Sequence, residues 1–357
     1  MKGIFIATDT PLIGGVLTYL RDIALRLSAS GISVAVGLRN LPHLIPIIDE
    51  LRQHSIHVTH PFDVTFFQHG YLPLITGYGP FSYRRFFSTF GKKNLVLLVH
   101  DQVDIYYPQP FQFLYRLGYR YLQVPNLQNA RAIITVSHWA KSFLQDFYGL
   151  AQVYAVPNAV DVHRFRPELS KENRRERKES LGLRPEKDLI LIPGRLSPEK
   201  NPFLPLRVAQ LLPEIDFAYV GTGELEGPVR LAQKALRLGN VFFLGKRYDM
   251  PNVYAAADAV LQPTLGENQS LSTLEAMACG LPVITSDIPA QREIINHRQT
   301  GVLSPPEPKH MAKWILYALE NREELGNNAR AYVVLHHNLD FYLPRLLSTL
   351  NEIAALI

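Results

Sequence analysis

The chain has 357 residues, of which 47% are hydrophobic and 19% charged, and its formal net charge is +5. This length predicts two domains of ordinary size, and the composition excludes a disordered or low-complexity protein. The single cysteine, Cys279, excludes a disulfide within these residues and favours a reducing compartment.

Neither a membrane span nor a secretion signal is predicted. No apolar run reaches the roughly 18 residues that a spanning helix needs. Asp9 interrupts the apolar run at the N-terminus, which favours a strand over a signal peptide. The modest basic excess favours an anionic partner, either a phosphorylated ligand or a lipid surface, and no nucleic-acid module is found. We therefore expect a cytoplasmic protein, with the inner face of the cell membrane as a candidate peripheral location.

In the first half of the chain, short apolar runs alternate with helix-length segments. The first helix is predicted to carry Leu17, Leu20, Ile23, Ala24 and Leu27 along one face and to end near Gly31. The predicted strands are Lys2–Ala7, Ile32–Val36, Val64–Phe67, Asn94–Val99 and Ala132–Val136.

The same pattern restarts after Pro157. Arg164–Lys187 is crowded with charge and is predicted to be a solvated helix with its approach loops, and Phe341–Ile357 a final packing helix. Repeated strand–helix alternation predicts an α/β fold of two doubly wound parallel sheets, with a ligand site at the carboxyl ends of the strands. The predicted strands of this half are Asp188–Ile192, Asp216–Val220, Val241–Leu244, Ala259–Gln262 and Pro282–Thr285.

Two segments of the second half carry residue types that suit a nucleotide sugar. Glu267 and Glu275 flank a turn that leads into a helix, where backbone amides and the helix dipole favour a phosphate. Arg195 and Lys200 follow a predicted strand and supply two cations for a diphosphate. An alternative for Glu275 is a helix-capping box formed with Ser272.

Eight segments of the chain form a recognisable series. In chain order they are T-D-T-P-L-I-G-G-V-L-T-Y-L, V-H-D, A-I-I-T-V-S-H-W-A, V-P-N-A-V-D, P-G-R-L-S-P-E-K-N, G-T-G-E-L, E-N-Q-S-L-S-T-L-E-A-M-A-C-G-L-P-V-I-T-S and T-G-V-L. In this order they resemble the retaining GT-B-fold glycosyltransferases of family four, and the resemblance covers nearly the whole chain. It implies an acceptor domain at 1–157, a donor domain at 158–335 and a terminal helix at 336–357 that packs back on the first domain.

The resemblance implies transfer of a hexosyl group from a nucleoside diphosphate sugar to a lipid-linked, polysaccharide or small-molecule hydroxyl, with retention. Arg195 and Lys200 would stabilise the leaving diphosphate. Glu267 would hold the transferred sugar and Glu275 the ribose, while His100 would contact the sugar or the acceptor.

The donor-binding set implied by the resemblance also includes two loops. Gly14 and Gly15 permit close backbone approach to the donor phosphates. The segment Asn268-Gln269-Ser270 replaces the family's more typical glycine-and-aromatic segment, which suggests an altered sugar pocket. Ser270 could bond the sugar or phosphate, or only cap the helix. The donor-binding residues of this second loop are Asn268, Gln269, Ser270 and Leu271.

Neither an Asp-x-Asp triplet nor Cys/His ligand spacing occurs in the sequence, so we expect a reaction without metal or cofactor. Two other functions remain open: a sugar-nucleotide epimerase of the same fold, and a degenerate sugar-nucleotide-binding protein.

Residues 64–131 are rich in Phe and Tyr and carry cations that include Arg84, Arg85, Arg116 and Arg120. Phe81–Phe87 interleaves rings with charge, as interfacial segments do. This pattern predicts contact with a membrane surface or lipid acceptor. The alternative is a set of core-facing rings with arginines that reach out to solvent.

Overall fold

A computed structural model describes residues 2–11, 15–77, 79–168 and 170–355. It divides into two units. Met1–Val103, Gln109–Pro157 and Asp340–Ile357 form the first unit, whereas Asp104–Pro108 and Asn158–Leu339 form the second. Each unit contains one parallel sheet flanked by helices, which confirms the predicted α/β class.

The sheet of the first unit has the strand order β3-β2-β1-β4-β5-β6-β7. The order changes direction between β1 and β4, which is the point where such sheets bind ligands. Strand β1 is buried along its whole length because helices cover both faces of the sheet. The strands are β1 Gly3–Thr8, β2 Val34–Gly37, β3 His57–Thr59, β4 Tyr71–Thr76, β5 Val96–Val99, β6 Ala132–Thr135 and β7 Val153–Ala155.

The helix predicted after β1 is confirmed, and its five apolar positions are all buried. Tyr119–Gln123 forms a π-helical turn after α5. The helices of this unit are α1 Gly15–Ala29, α2 Ile45–Gln53, α3 Thr65–Gln68, α4 Pro80–Phe90, α5 Phe111–Gly118, α6 Val124–Leu127 and α7 His138–Asp146.

The strand predicted at Val64–Phe67 is wrong. Most of that run lies in α3, and the strand of this region is β4, a few residues later. Pro73 lies inside β4 and pairs with Phe5, although proline normally argues against a central strand. The Phe66 ring of that run still packs on the sheet, where it stacks on Phe5 with centroids 5.8 Å apart, although none of the α3 residues is buried.

The second unit repeats the topology, with the strand order β10-β9-β8-β11-β12-β13. Its change of direction falls between β8 and β11. The five predicted strands are present, and the short edge strand β13 was not predicted as a strand. The strands are β8 Leu189–Pro193, β9 Asp216–Val220, β10 Val241–Phe243, β11 Ala259–Gln262, β12 Val283–Ser286 and β13 Val302–Ser304.

Helix α8 of the second unit occupies the highly charged segment, but it is not solvated all round. Lys178 is buried, and its ammonium lies 2.7 Å from Asp258 Oδ2 and 2.6 Å from the Lys187 carbonyl oxygen. The helices are α8 Lys171–Ser180, α9 Leu204–Leu211, α10 Glu226–Ala235, α11 Met250–Ala255, α12 Leu271–Ala278, α13 Pro289–Arg292, α14 Pro308–Glu320 and α15 Arg322–His336.

The last helix, α16 Leu339–Ala355, contributes nearly all of its length to the first unit. Asp340 pairs with Arg26 at 2.9 Å, and the Tyr342 ring meets the Tyr19 ring edge-on at 5.7 Å. These contacts attach α16 to α1. Within the part of the chain that the structure describes, no helix is both long and apolar enough to cross a membrane.

Candidate functional site

The two candidate segments of the second unit meet where its sheet changes direction. Gly194–Lys200 follows β8, and Pro263–Ser270 follows β11, the neighbouring strand. Because both loops leave the carboxyl ends of adjacent parallel strands, they share one edge of the sheet. The sheet therefore brings together Arg195, Lys200, Glu267 and the start of α12.

The bottom of this site is made of backbone. Gly194 N donates to the Val220 carbonyl oxygen at 2.9 Å, and Gly221 N donates to the Gly245 carbonyl oxygen at 2.8 Å. A Cβ atom on Gly221 would lie 2.1 Å from Gly194 O. Gly194 and Gly221 have φ values of 138° and 139°, which other residues rarely adopt. Glycine is thus required where these loops touch.

Each of the two predicted cations is paired with an acid. The Lys200 ammonium contacts the Glu267 carboxylate, and the two side chains are only 17% and 7% exposed. The Arg195 guanidinium is 55% exposed and donates to Glu199 Oε1 at 3.0 Å. Glu199 also accepts a hydrogen bond from Ser197 Oγ at 2.5 Å. The ion pair with Glu267 therefore holds Lys200 in place, whereas the Arg195 side chain is accessible to an incoming ligand.

The loop that carries Glu267 is fastened to the loop after β8. Leu265 N donates to the Glu199 carbonyl oxygen at 2.7 Å, and Thr264 Oγ1 donates to the same oxygen at 3.1 Å. Thr264 Oγ1 is also within hydrogen-bond distance of Gly266 O, at 3.0 Å. These bonds hold the loop that carries Glu267 against the loop that carries Lys200.

The sequence interpretation missed the segment Asp104–Pro108. It belongs to the second unit, and Tyr106 N donates to the Leu265 carbonyl oxygen at 2.6 Å. A Cβ atom on Gly266 would lie 2.9 Å from Ile105 Cγ1, so the contact is close. Burial, then Glu199 and Glu224, raise the pKa of the Tyr107 phenol. In the sequence, the adjacent residues Tyr106 and Tyr107 are the feature that could have drawn attention to this segment, but nothing in the sequence indicates which unit the segment joins.

Gln269 is turned toward the start of the second unit's main segment. Its Oε1 accepts from Asn158 N at 2.6 Å, and its carbonyl oxygen accepts from Asn158 Nδ2 at 3.1 Å. Asn268 and Gln269 are 3% and 5% exposed. The side-chain oxygen and the backbone carbonyl oxygen of Gln269 are thus both engaged within the second unit.

Ser270 is the N-cap of α12. Its hydroxyl oxygen accepts from Thr273 N at 3.3 Å and lies 3.1 Å from Ser272 Oγ. The sequence left two roles open for Ser270, capping the helix and bonding the sugar or phosphate, and in the structure Ser270 caps the helix. Leu271 is the first helical residue and is partly exposed at the mouth of the helix.

A further polar contact, not expected from the sequence, joins β8, β11 and α12. Gln262 Nε2 donates to the Pro193 carbonyl oxygen at 3.0 Å and to Ser272 Oγ at 2.8 Å. Gln262 is buried, so these bonds satisfy an amide that would otherwise be costly to bury.

Glu275 does not form the capping box that was the alternative reading. Because Ser270 caps α12, Glu275 lies beyond the first turn, and its Oε2 accepts from Tyr254 OH at 3.0 Å. Burial and then Glu275 raise the pKa of Tyr254, which keeps this phenol a donor. Burial also raises the pKa of the Cys279 thiol to about 12, so it is unreactive.

His100 lies in the first unit, directly after β5. Its ring meets the Tyr19 ring edge-on at 4.6 Å, and among the described residues its buried Nε2 has no hydrogen-bond partner. Burial lowers the pKa of His100 to about 3, so the imidazole is neutral at ordinary pH. Burial raises the pKa of Asp101 to about 6, and Gln123 Nε2 donates to Asp101 Oδ2 at 3.2 Å.

The site residues thus fall into two sets. Gly15 begins α1 and belongs, with His100, to the first unit, while Gly14 lies outside the described residues. Arg195, Lys200, Glu267 and the residues Asn268–Glu275 belong to the second unit. In the described ranges no group of three or more His, Cys, Asp or Glu side chains could hold a metal ion.

Two family models match the chain. Residues 173–332 match the model described as glycosyl transferases group 1, and residues 36–164 match the one described as glycosyltransferase family 4. The first match contains α12 and the loops after β8 and β11.

Among curated proteins, similarity is confined to part of each chain. A UDP-Gal:alpha-D-GlcNAc-diphosphoundecaprenol alpha-1,3-galactosyltransferase of Escherichia coli is 32% identical over 43% of this chain and 41% of its own. A D-inositol 3-phosphate glycosyltransferase of Mycobacterium marinum is 36% identical over 39% of this chain and 30% of its own. The chain therefore spans less than half the length of these curated relatives.

Solved structures match over nearly the whole chain. HepE of Anabaena in complex with UDP and glucose has a TM-score of 0.81 at 21% identity and covers 98% of this chain and 100% of its own. Sucrose-phosphate synthase of Thermosynechococcus elongatus has a TM-score of 0.80 at 19% identity, with 99% and 100% covered. With the strand orders described above, these likenesses confirm the GT-B fold.

Proposed function

We propose that this chain, which belongs to the group 1 glycosyltransferases, transfers a hexosyl group from a nucleoside diphosphate sugar to an acceptor hydroxyl with retention of configuration. One observation carries this proposal. Arg195, Lys200 and Glu267 converge at the edge of the second sheet, beside the N-terminus of α12. Two cations, and an acid that can accept hydrogen bonds from hydroxyl groups, therefore lie at the same edge of the sheet.

The cations act on the leaving group. As the glycosidic bond breaks, negative charge develops on the diphosphate, and preorganised donors stabilise it without reorganisation. The Arg195 side chain is exposed, so its guanidinium group can form paired hydrogen bonds to phosphate oxygens. Lys200 is positioned by Glu267, and the amides that begin α12 add the positive end of the helix dipole.

The two acids bind hydroxyl groups. A carboxylate accepts several hydrogen bonds, so Glu267 can retain Lys200 on one oxygen and accept from the transferred sugar on the other. Glu275 receives a hydrogen bond from Tyr254, which orients it for the ribose hydroxyls. Neutral His100 would contact the sugar or acceptor as a hydrogen-bonding group and not as a cation.

No side chain is assigned as a covalent nucleophile. Retention would follow a front-face course, in which the departing phosphate oxygen accepts the proton of the acceptor hydroxyl. The reaction would require neither metal nor cofactor, because Arg195 and Lys200 neutralise the diphosphate.

The name of the Escherichia coli relative specifies an acceptor on diphosphoundecaprenol. This supports a lipid-linked hydroxyl ahead of a polysaccharide or small molecule for the present chain. A lipid-linked acceptor would require the enzyme to work at a membrane, and we propose a cytoplasmic enzyme at the inner face of the cell membrane.

The test is incubation with a panel of nucleoside diphosphate hexoses, with and without a pool of lipid-linked, polysaccharide and small-molecule acceptors. Nucleotide release that depends on acceptor, with an α-product from an α-donor by NMR, is the expected result. Formation of an epimer from donor alone would instead identify an isomerase. Donor binding without turnover would identify a degenerate binding protein.

A further inference from the structure

A group of large apolar side chains in the first unit points into solvent. They lie on α5 and the π-helical turn that follows, and Phe111 and Tyr121 are 62% and 68% exposed. Several exposed large apolar side chains on one short segment mark a candidate interaction site. This aromatic face consists of Phe111, Phe113, Leu114, Leu117, Tyr121 and Leu122.

Buried and hydrogen-bonded residues of the same segment anchor the aromatic face to the first unit. None of the residues of α5 is buried, but Tyr119 and Gln123 in the following turn are 8% and 3% exposed. Tyr115 OH donates to the Gln102 carbonyl oxygen, and Tyr119 stacks on Tyr148 with centroids 5.2 Å apart. The segment is thus anchored through these residues, while its other large side chains remain outside the core.

Positive charge surrounds the aromatic face. Arg116 and Arg120 lie over the Phe147 ring at 5.2 and 5.6 Å, and Arg120 donates to the Phe147 carbonyl oxygen at 3.0 Å. The sequence has no Asp or Glu between residues 105 and 145. The charged side chains within this stretch of the chain are therefore all cationic, and the acids that flank it in the sequence are Asp104 and Asp146.

The N-terminus of α4 extends the same surface. Asn126 Nδ2 donates to the Pro80 carbonyl oxygen at 3.1 Å and to the Leu122 carbonyl oxygen at 2.9 Å, which places the start of α4 beside the aromatic face. Phe81 is 73% exposed, with the Arg84 guanidinium 5.5 Å from its ring centre.

The remainder of Phe81–Phe87 corrects the expectation drawn from the sequence. Tyr83, Phe86 and Phe87 are buried in the core of the first unit. For these three rings the core-facing alternative holds, and only Phe81, Arg84 and Arg85 of this segment face outward.

We propose that the aromatic face, together with Phe81 and Arg84, docks the protein on the surface of a bilayer that contains anionic lipid. Rings and leucines would enter the headgroup boundary, while the arginines contact lipid phosphates. The absence of acidic residues along this stretch argues for an anionic partner. The inference rests on the lipid-linked acceptor of the proposed function, but vesicle binding needs no turnover, so the two proposals can fail separately.

The test is co-sedimentation of the full chain with vesicles of phosphatidylcholine alone or mixed with phosphatidylglycerol. Binding to the anionic vesicles is expected. Phe113→Ser with Leu117→Ser should weaken it about tenfold or more at both low and moderate salt, because the apolar contribution is not screened. Arg84→Gln should weaken it about fivefold at low salt and less at moderate salt.

A matched control is available in the same unit. Ile45 is 45% exposed on α2, and Arg52 on that helix is also exposed. Ile45→Ser with Arg52→Gln removes an exposed apolar side chain and a cation away from the aromatic face, so it should bind as the native chain does. Melting temperatures of all variants check that each is folded.

Three results would overturn the proposal. The native chain would remain in the supernatant with anionic vesicles at low ionic strength, or the Phe113/Leu117 variant would bind as tightly as the control. Alternatively, the native chain would form a dimer that this variant abolishes while neither binds vesicles, which would assign the aromatic face to a second copy.

Discussion

The ammonium of Lys200 is paired with the carboxylate of Glu267, although 67 positions separate the two residues in the chain. The pair joins the loops that follow β8 and β11, and both side chains are mostly buried. Because removal of either partner leaves a charge in a poorly hydrated place, the pair affects stability as well as chemistry. The Arg195 side chain is 55% exposed, and Glu199 would keep its hydrogen bond from Ser197, so substitution of Arg195 should affect chemistry far more than stability.

Arg195→Ala and Lys200→Ala should each reduce kcat by roughly two to three orders of magnitude, as loss of one preorganised charge contact can. Lys200→Ala should also lower the free energy of unfolding by roughly 1–3 kcal/mol, since Glu267 loses its partner. Steady-state kinetics and urea unfolding measure both effects, with exposed Arg207→Ala as the control. Near-normal rates in both folded variants would remove the cations from the mechanism.

Glu275→Gln should weaken donor binding much more than it lowers the melting temperature. The amide oxygen of Gln can still accept from Tyr254 OH, so the fold keeps this contact. Tyr254→Phe keeps the buried ring but releases Glu275, so it should weaken donor binding to a smaller extent. Calorimetry with the donor compares the three proteins. Unchanged affinity in Glu275→Gln would mean that this carboxylate does not hold the ribose.

Activity should survive excess EDTA, because Arg195 and Lys200 would supply the positive charge at the diphosphate. Rates before chelation, after chelation and after addition of magnesium or manganese decide the matter. An activity that disappears with EDTA and returns with either ion contradicts the proposed stabilisation of the leaving group.

The pH dependence of stability should differ between variants of His100 and Asp101. The pKa of His100 is about 3 in the folded protein and 6.5 in a model peptide. The unfolded state thus binds the proton first, and His100 costs stability as pH falls from about 6.5 toward 3. The pKa of Asp101, raised to about 6, acts in the opposite direction as pH falls from about 6 to 4.

His100→Gln should therefore flatten the acid side of the stability profile, by at most about 1.4 kcal/mol per pH unit. Asp101→Asn should steepen it between pH 6 and 4. Urea unfolding from pH 4 to 7 measures both, and the other carboxylates cancel in the comparison with the native chain. Three parallel profiles would contradict the assignment of these titrations.

Local sequence patterns were sufficient to predict several elements in both units. Helix α1 and the turn into α12 were predictable because their apolar periodicity and turn residues act within a few positions. β4 was missed because Pro73 lies inside it, and the nearby run at Val64–Phe67 has the same apolar composition as a strand. A short apolar run does not by itself distinguish a strand from a buried helix.

The remaining errors concern contacts between distant positions. Gln269 contacts Asn158, 111 positions away, and no periodicity encodes such a pairing. The departure of Asp104–Pro108 from the first unit is likewise a tertiary effect. Glu275 fitted a capping box in sequence, but Ser270 starts the helix two residues earlier than that box requires.

The glycine contacts beneath the candidate site limit which positions of the site can accept a different residue. A Cβ atom on Gly223 would lie 2.5 Å from the carbonyl oxygen of Leu196, as one on Gly221 would press on Gly194. Substitution of Gly221 or Gly223 would therefore force the backbone beneath the site to shift. Partly exposed Tyr107 carries no such steric restriction. A change of substrate preference, in nature or in a laboratory library, is therefore expected to come from substitutions of such partly exposed side chains around the site.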